Sequence, residues 1–478
     1  MPTPLNISQA LEELTAALGP NAVFAEADVP LRNRNDYSGL LPTQPLAMLR
    51  PADTKGVSDA LRICHAHGLS VVPQGGLTGL VGGARAEAHE IALSLERPVG
   101  IEEIDSDAAT LTAWAGTPLE TVQQAALDAG YFCPLDLGAR GSCAIGGNLS
   151  TNAGGNRVIR YGMAREMVLG LEVVLADGTV ITSLNKMIKN NAGFDLKHLF
   201  IGSEGTLGII TRVVLKLFPK PGSTMVAMCA APDYATVLKL LSSARASLGP
   251  LLSAFEVMWP DYWQFATTQA PGVRNPFAGD DTAYAAYVLI EAQGTDPEAD
   301  APRFEQWLGG LLEDGTLPNA AVAQSLADEK AFWGVRDACG ELHQFWPRHL
   351  AFDIGLPVTR MDEYARRFKQ QLGDLVPGCK SVFYGHIGDS NVHIVTHLDG
   401  VTEQPKDAVE QIVYGLVRDY GGTVSAEHGI GTIKRRWLGH ARSPEQIALM
   451  QTLKAALDPK NILCLLYTSD AADEEDSV

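Results

Sequence analysis

The pattern of apolar and polar residues predicts a helix and a strand in the segment that follows Asp53. Asp53 can cap a helix, Val57 and Leu61 lie on one helical face, and Gly68 ends the pattern. The next residues, LSVVPQ, form a short apolar run that is typical of a buried strand. The same helical spacing predicts an amphipathic helix in MPTPLNISQALEELTAALGP.

Strand and helix patterns alternate up to about residue 219 and change character beyond it. In GLEVVLADGTVIT, Asp177 and Gly178 supply a tight turn between two apolar runs, which predicts a β-hairpin. Later helical patterns, such as MDEYARRFKQQLGDLV, are mixed with strand patterns such as SVFYGHIG. We therefore predict an α+β protein with one domain over residues 1–222. A second α+β domain, with an antiparallel sheet and C-terminal helices, is predicted over residues 223–464.

The size and charge of the chain exclude one class of partner. Its 478 residues exceed the size of one ordinary hydrophobic core, so two or three domains are expected. The formal net charge is -19, and Lys and Arg do not cluster as a phosphate-binding surface requires. We therefore expect no nucleic-acid partner.

Cysteine usage and hydropathy predict a reduced compartment. The 7 cysteines are widely separated and form no Cys-x-x-Cys motif, so neither a disulfide framework nor a thiolate zinc site is indicated. The sequence shows no signal-peptide pattern, no transit-peptide bias and no apolar run of about 18 residues. We predict a cytoplasmic protein without a transmembrane segment.

The last residues, 465–478, differ in composition from the rest of the chain. They contain five acidic residues and no basic one: Asp470, Asp473, Glu474, Glu475 and Asp476. We interpret this stretch as a non-native acidic tail and exclude it from the fold. A solvated native tail is the alternative.

Three glycine-rich segments carry the first candidate chemistry. VVPQGGLTGLVGGA follows a predicted strand but matches neither the dinucleotide-binding nor the P-loop motif. Its backbone N–H groups, unshielded by Cβ atoms, can cradle a phosphate, so a nucleotide pyrophosphate is a candidate ligand. A glycine-rich surface turn is the alternative. GGNLSTNAGGN and IGSEGTLGII then add short polar side chains among further glycines.

Five ordered motifs resemble one enzyme family. They are PQGGLTGL, GGNLSTNAGGN, FIGSEGTLGIIT, YGHIGDSNVH and SAEHGIGTIKR, and they span roughly residues 40 to 463. Together they are similar to the FAD-linked oxidoreductases of the vanillyl-alcohol-oxidase type. Within that group they resemble the D-2-hydroxyacid dehydrogenase branch of D-lactate, D-2-hydroxyglutarate and glycolate dehydrogenase subunits. The resemblance implies a two-subdomain FAD-binding domain and a substrate, or cap, domain.

The resemblance also implies which residues contact FAD. The cofactor is expected to be noncovalent, because the first glycine loop has no histidine that could tether it. Leu77 departs from the family, which often has Asn there. The residues assigned to FAD are Pro73, Gly75, Gly76, Thr78, Gly79 and Leu80 at the pyrophosphate, Gly146, Gly147, Asn148, Ser150, Thr151, Asn152, Gly154 and Gly155 along the flavin, Gly208 and Ile209 near the adenine, and in addition Tyr161 and Asn391.

Two histidines flank a Gly-Asp-Ser turn in YGHIGDSNVHI. If this segment is a hairpin, His386 and His393 lie at paired strand ends and can converge on one ion. Glu427 supplies a third ligand, and two imidazoles with one carboxylate suit zinc first, then manganese or iron(II). A hairpin with merely polar strand ends is the alternative reading. Ser390 stands where the family commonly has glycine.

His428 is the candidate base. A substrate hydroxyl with a pKa of about 15.7 lies roughly 9 units above imidazole, a proton transfer about 12 kcal/mol uphill. A bound metal lowers such a pKa to roughly 7, which matches imidazole. Glu427 and His428 are neighbours, so both can serve one site only if the backbone there is irregular, as Gly429 and Gly431 permit.

The resemblance places Arg336 at the substrate carboxylate, for which a planar guanidinium is suited. Gly340 and Ala351 stand where the 2-hydroxyglutarate enzymes have Thr and Lys, so a lactate-like or larger monocarboxylate is favoured. D-2-Hydroxyglutarate is the alternative. The expected reaction gives the 2-oxo acid, with hydride to flavin N5 and electrons passed to a quinone or an electron-transfer flavoprotein. A homodimer is expected. A metal-free flavin oxidase and a redox-inactive FAD-binding subunit remain rival functions.

Overall fold

The computed structural model describes residues 4–463, which form two compact units. The first unit contains residues 4–155, 162–220 and 427–463, and the second contains 156–161 and 221–426. The second unit begins its long segment at Pro221, two residues before the predicted start of the second domain at residue 223. The predicted acidic tail lies outside the described residues.

The compact units divide the chain differently from the predicted 223–464 domain, because residues after Ala426 group with the first unit. Val71 donates a backbone hydrogen bond to Ile462 at 2.6 Å. Lys454, which is buried, donates to the carbonyls of Thr206 at 2.9 Å and Leu463 at 2.7 Å. These contacts anchor the last described segment to the first unit.

The first unit begins with a four-stranded sheet in the order β1-β2-β4-β3. The predicted helix between β2 and β3 is confirmed as Thr54–His67. The side chain of Asp53 accepts from Gly56 N at 2.8 Å, and Gly68 ends the helix at φ 67°. The strands are β1 (Val23–Ala25), β2 (Ala47–Leu49), β3 (Val71–Gln74) and β4 (Ile91–Ser94).

A second, antiparallel sheet of the first unit has five strands. The predicted hairpin is confirmed: Val174 pairs with Val180, and Gly178 adopts φ 87° in the turn. The next strands are β5 (Ile101–Asp105), β6 (Thr110–Trp114), β7 (Tyr131–Phe132), β8 (Val168–Val174), β9 (Val180–Ser183), β10 (Ile209–Lys216) and β11 (Phe218–Pro219); the sheet order is β5-β6-β10-β8-β9, and β7 pairs with β11.

Helices cover parts of both sheets. The predicted amphipathic first helix is confirmed as Pro4–Leu18 and contacts Thr54–His67. The other helices of the first unit are Leu119–Asp128, Ile145–Ser150, Ala164–Met167, Lys197–Phe200 and Pro444–Leu457. Within residues 4–463, no helix combines the length and the apolar character that a membrane crossing requires.

The second unit is built on a seven-stranded antiparallel sheet, as predicted. Its strands are β12 (Ser223–Ala231), β13 (Leu252–Met258), β14 (Ala286–Gly294), β15 (Asn319–Val322), β16 (Leu350–Gly355), β17 (Lys380–His386) and β18 (Asn391–His397), in the order β15-β12-β14-β13-β17-β18-β16. Its helices are Val158–Tyr161, Tyr234–Leu248, Pro260–Thr268, Pro297–Glu313, Leu326–Asp337, Leu342–Phe345, Met361–Leu375 and Lys406–Asp419.

An aromatic core supports one end of this sheet. The ring centroids of Tyr262 and Tyr384 lie 4.5 Å apart with the rings tilted by 32°, and Trp263 stacks on Tyr287 at 3.8 Å. Each buried ring stabilises the fold by roughly 2 to 3 kcal/mol through removal of apolar area from water. Tyr384 belongs to β17, so this core fixes the strand that ends in His386.

Candidate active site

The first glycine loop folds into a close-packed turn after β3. A Cβ atom on Gly76 would lie 2.0 Å from the carbonyl oxygen of Ser142, so only glycine fits there. A Cβ on Gly75 would lie 3.4 Å from the Ala144 Cβ. Leu77 adopts φ +62°, in the left-handed region that glycine and asparagine tolerate better than leucine. The loop therefore presents backbone rather than side chains.

The backbone N–H groups of this loop, residues 75–80, are not used inside the protein. Among the described residues, none of the six donates a hydrogen bond to another protein group. Adjacent N–H groups held in a tight turn form an anion-binding concavity. This arrangement fits the phosphate oxygens of FAD, the cofactor that the sequence predicts.

A cavity of about 730 Å³ adjoins the loop in the first unit. Its volume is within the range of cofactor pockets. Gly75 and Gly76 are the predicted FAD residues that line it. The sequence analysis missed the residues opposite, although the polar run RNRND was a signal for them. The missed lining residues include Arg32, Asn35, Asp36, Tyr37, Glu96 and Ser142.

Several predicted flavin residues have structural partners in the first unit. Asn148 donates to Cys143 Sγ at 3.5 Å, and Asn152 Oδ1 accepts from Arg165 N at 2.9 Å. Ser150 and Thr151 donate to carbonyls of the preceding helical turn. These side chains shape the segment, and their contact with FAD stays a prediction.

Gly146 and Gly208 are packing positions. A Cβ on Gly146 would lie 2.6 Å from the Ala115 Cβ, and one on Gly208 would lie 2.7 Å from Val173. Ile209 begins β10 and is buried. Both glycines therefore allow close backbone approach between elements. Their assignment to FAD also stays a prediction.

The two remaining FAD assignments, Tyr161 and Asn391, belong to the second unit. Arg160 places its guanidinium 4.8 Å from the Tyr161 ring centroid. Asn391 donates to Asp353 Oδ1 at 2.7 Å and to the Ile354 carbonyl at 3.1 Å. Asn391 thus holds a buried carboxylate in place.

The Glu427 segment is fixed by glycine loops of the first unit. Glu427 Oε1 accepts from Gly155 N at 2.7 Å. The carboxylate of Glu204, which is half-buried, accepts from the backbone N–H groups of Ile430 and Gly431, each at 2.9 Å. Burial raises the pKa of Glu204, while these two hydrogen bonds and the charge of Lys434 lower it.

Backbone conformation around His428 is irregular, as the sequence predicts. Gly429 adopts φ 84° and Gly431 adopts φ 50°. A Cβ on Gly429 would lie 2.9 Å from the Glu204 carboxylate. The two glycines therefore let the chain turn closely around Glu204 directly after Glu427 and His428.

The histidine segment forms the predicted hairpin in the second unit. β17 and β18 pair with Tyr384 opposite His393. The imidazole centroids of His386 and His393 lie 5.3 Å apart, with the rings at 83°. Ser390 adopts φ +77°, so the turn keeps a glycine-like conformation despite the side chain. The structure thus brings the two predicted imidazoles together.

A buried carboxylate joins His386 to Arg336. Glu256 on β13 lies opposite His386 in the sheet. Its Oε1 is 2.6 Å from His386 Nδ1, and its Oε2 accepts from Arg336 Nε at 2.9 Å. Arg336 Nη2 lies 3.1 Å from His386 Nε2. The three side chains form a closed triangle of hydrogen bonds.

The charges in this triangle stabilise one another. Burial alone would raise the pKa of Glu256, but its interactions with His386 and Arg336 lower it. The carboxylate in turn raises the pKa of Arg336, although burial acts in the opposite direction. Glu256 is therefore a permanent anion at neutral pH.

A second buried carboxylate accompanies His393. Asp353 on β16 lies opposite His393, with 3.9 Å between its Oδ1 and the imidazole Nδ1. Its Oδ2 accepts from the backbone N–H of Ala426 at 3.1 Å and from Ser425 Oγ at 3.3 Å. Both predicted metal-ligand histidines thus have an acidic neighbour on the next strand.

The sequence analysis missed Glu256 and Asp353. Each is a single acidic residue inside an apolar strand, in LSAFEVM and LAFDIG. A charge that is buried with a strand needs a partner. That pattern was the available signal, although it does not identify the partner.

Family models match most of the chain. A model of the C-terminal domain of FAD linked oxidases matches residues 220–464, and a FAD binding domain model matches residues 45–183. The chain belongs to the FAD-linked oxidase family. The open N–H groups of residues 75–80 are consistent with this assignment. The predicted FAD-binding fold is thereby confirmed.

Relatives of this FAD-linked oxidase cover nearly its whole length. It is 39% identical over 446 residues to a probable mitochondrial D-2-hydroxyglutarate dehydrogenase of Oryza sativa subsp. indica, which spans 93% of this chain and 79% of the relative. It is 36% identical over 424 residues to a putative mitochondrial D-lactate dehydrogenase of Schizosaccharomyces pombe, spanning 87% and 80%. The predicted resemblance to FAD-linked D-2-hydroxyacid dehydrogenases is confirmed.

Solved structures support the fold. The FAD-linked oxidase matches a crystal structure of p-cresol methylhydroxylase with a TM-score of 0.78, covering 99% of this chain and 98% of that one. The sequence identity is 16%, so the match shows the shared fold. The predicted α+β architecture is consistent with it.

Proposed function

We propose that this FAD-linked oxidase oxidises a D-2-hydroxy acid to the 2-oxo acid. The observation that carries the proposal is the buried triangle of His386, Glu256 and Arg336 beside His393. It combines imidazoles that can bind a cation with a guanidinium that can bind a carboxylate. FAD, when bound, supplies the acceptor for the hydrogen that leaves C2 as hydride.

Arg336 is the proposed carboxylate-binding residue. Its Nε is held by Glu256, and one N–H on each Nη remains besides those that face His386 and Cys339, so the guanidinium can still meet an anion. Tyr262 donates to the Arg336 carbonyl at 2.5 Å and fixes the backbone of this residue. A pre-positioned guanidinium binds a planar carboxylate with little loss of side-chain entropy.

His386, His393 and Glu427 are the proposed ligands of a divalent metal. The hydrogen bond to Glu256 at Nδ1 keeps the proton on that nitrogen, so His386 Nε2 carries the lone pair that a metal requires. Zinc suits this donor set best, and manganese or iron(II) also fit. When bound, the metal would lower the pKa of the substrate hydroxyl.

His428 is the proposed base for the hydroxyl proton. It follows Glu427 in a segment that Glu204 holds by two backbone hydrogen bonds. A fixed backbone limits the positions that the imidazole can reach, which favours proton transfer at one place. This role rests on the sequence resemblance and on that fixed backbone.

We favour a monocarboxylic substrate. Ala351 pairs with Val395, two residues along the strands from the Asp353 and His393 pair and on the same face of the sheet. At this pair the face presents apolar side chains instead of the lysine that the resemblance places at residue 351 in the 2-hydroxyglutarate enzymes. The name of the rice relative supports the other candidate substrate, D-2-hydroxyglutarate.

The electron acceptor and the compartment also belong to the proposal. A quinone or an electron-transfer flavoprotein would reoxidise the flavin. We predicted a cytoplasmic homodimer, whereas both relatives described above are named mitochondrial. Fractionation of the native host cells and size measurement of the purified protein would decide these points.

An anaerobic substrate panel tests the reaction. Purified protein with bound FAD would be mixed with D- and L-2-hydroxy acids, with and without added zinc or manganese, while flavin absorbance is recorded. We expect bleaching by D-monocarboxylates that a chelator abolishes. Bleaching unaffected by chelation would support the metal-free oxidase, and no bleaching by any acid would support the redox-inactive subunit.

A variant tests the base. His428→Asn should keep the flavin spectrum and the substrate affinity but lower the rate of bleaching by about 10²- to 10⁴-fold, the usual contribution of a general base. Exposed His89→Asn is the control and should react at the normal rate. Normal bleaching by His428→Asn would remove the role from His428.

A further inference from the structure

We propose that Glu256 is a positioning residue that orients both His386 for the metal and Arg336 for the substrate. The inference rests on the proposed function and adds to it a residue to which neither the family resemblance nor the sequence patterns assign a role. Glu256 is 1% exposed and touches both partners with different oxygens. One carboxylate therefore controls the geometry of two functional side chains.

The contact with His386 selects one imidazole tautomer. Arg336 can only donate, so the lone pair that faces its Nη2 at 3.1 Å belongs to His386 Nε2. The proton of the neutral ring then lies on Nδ1, 2.6 Å from Glu256 Oε1. A carboxylate behind a ligating histidine raises the basicity of the ring and fixes its orientation.

The contact with Arg336 fixes the plane of the guanidinium beside His386. Arg336 Nη2 faces the same His386 Nε2 atom that a metal would bind. Glu256 accepts from Nε, while Nη1 faces Cys339 Sγ at 3.6 Å, so the remaining Nη N–H groups of the fixed guanidinium plane can meet a substrate carboxylate. The negative charge of Glu256 also offsets the repulsion between a bound cation and the guanidinium.

A merely structural role makes a different prediction. The Arg336 carbonyl is held by Tyr262, and His386 belongs to a strand paired on both sides. Loss of the Glu256 charge should therefore disturb the orientation of two side chains more than the path of the backbone. Metal affinity and substrate affinity report that disturbance, whereas a structural residue would change thermal stability alone.

A second buried ion pair in the same sheet supplies the matched control. Glu291 on β14 accepts from Arg157 Nε at 3.0 Å and from Arg157 Nη2 at 3.2 Å. Its side chain is as deeply buried as that of Glu256, at 2% against 1% exposure. Glu291 is not among the partners of His386 described above, so Glu291→Gln removes a buried charge without removing the carboxylate behind the histidine.

The experiment compares Glu256→Gln, Glu256→Asp and Glu291→Gln in the full chain with bound FAD. Zinc affinity is measured by chelator competition, and FAD content, melting temperature and KM are measured in parallel. We expect Glu256→Gln to weaken zinc binding by about 10- to 100-fold and to raise KM, with normal FAD content. Glu256→Asp should recover part of the zinc affinity, and Glu291→Gln should bind zinc normally.

A double variant covers the case in which Glu256→Gln does not fold. Glu256→Gln combined with Arg336→Met removes both charges and leaves no unpaired buried ion. Its zinc affinity should still be about 10- to 100-fold below that of the wild type. Normal zinc affinity in Glu256→Gln or in the double variant would overturn the inference and leave the proposed metal site unaffected.

Two further outcomes separate the inference from the function on which it rests. A wild-type protein that binds neither zinc, manganese nor iron(II) would overturn the proposed metal site and this inference together. Zinc affinity lost equally in Glu256→Gln and Glu291→Gln would overturn the positioning role alone, because any damage to the sheet would then have the same effect.

Discussion

The glycine loop of the first unit and the charged triangle of the second unit are built on opposite principles. The loop over residues 75–80 offers backbone N–H groups, and its fit depends on the absence of side chains. The triangle depends on three buried ionisable side chains, Glu256, His386 and Arg336. The comparison leads us to expect that the loop is most sensitive to an added atom at Gly76, whereas the triangle is most sensitive to the loss of a charge.

The largest effect should follow from adding one methyl group to the loop. Gly76→Ala would place a Cβ 2.0 Å from the Ser142 carbonyl oxygen, and backbone on both sides prevents relief. We expect a loss of stability of about 3 kcal/mol or more and protein without bound FAD. Flavin absorbance after gel filtration and a denaturant titration measure the two effects.

Gly138→Ala is the matched control for this change. A Cβ on Gly138 meets no atom within 4 Å, and the residue lies in the same unit. It should bind FAD normally and unfold within about 0.5 kcal/mol of the wild type. Full FAD content in Gly76→Ala would show that the loop can accept a side chain, and the comparison would fail.

A smaller effect should follow from removing one charge of the second unit. Glu291→Gln takes from Arg157 the carboxylate that it binds through two hydrogen bonds. We expect a loss of roughly 2 to 4 kcal/mol in unfolding free energy, because a buried charge is left without its counterion. Chemical unfolding followed by tryptophan fluorescence measures it.

An exposed ion pair sharpens that test. Glu103 is 52% exposed and accepts from Lys186 at 2.8 Å. Its replacement by glutamine should cost no more than about 1 kcal/mol, since water and salt screen the pair. Equal losses for the two variants would contradict the view that burial makes the charges of the second unit indispensable.

The smallest effect concerns Leu77. This residue adopts φ +62°, where a leucine is strained and an asparagine is tolerated. Leu77→Asn should raise the unfolding free energy by about 0.5 to 1 kcal/mol and leave FAD binding intact. Leu41→Asn, at an exposed leucine of the same unit without positive φ, should give no gain. Destabilisation by Leu77→Asn would show that the apolar side chain contributes more than its backbone costs.

Local patterns predicted the elements whose determinants lie close together in sequence. Asp53 and Gly68 mark both ends of their helix, and Gly178 marks the hairpin turn. The two imidazoles were predictable for the same reason, because His386 and His393 flank a single turn. The short distance between the two imidazoles follows from the pairing register of this one hairpin.

Partners that lie far apart in sequence could not be predicted in this way. Glu256 precedes His386 by 130 residues, and only the order of strands in the sheet brings them together. Lys454 lies in the helix Pro444–Leu457, yet it is 2% exposed and bound to Asp458. That burial depends on the first unit, so the local pattern of the helix does not reveal the compact unit with which it packs.

The division of the chain has a consequence for biosynthesis. A ribosome releases residues 221–426 before residues 427–463. The second unit can therefore fold while the first unit still lacks residues 427–463. The inserted unit also takes Arg157 from an earlier stretch to neutralise Glu291. A gene fragment limited to residues 221–426 would therefore lack Arg157 and leave the buried carboxylate of Glu291 without its counterion. Moving this unit into another protein requires both residues 156–161 and residues 221–426.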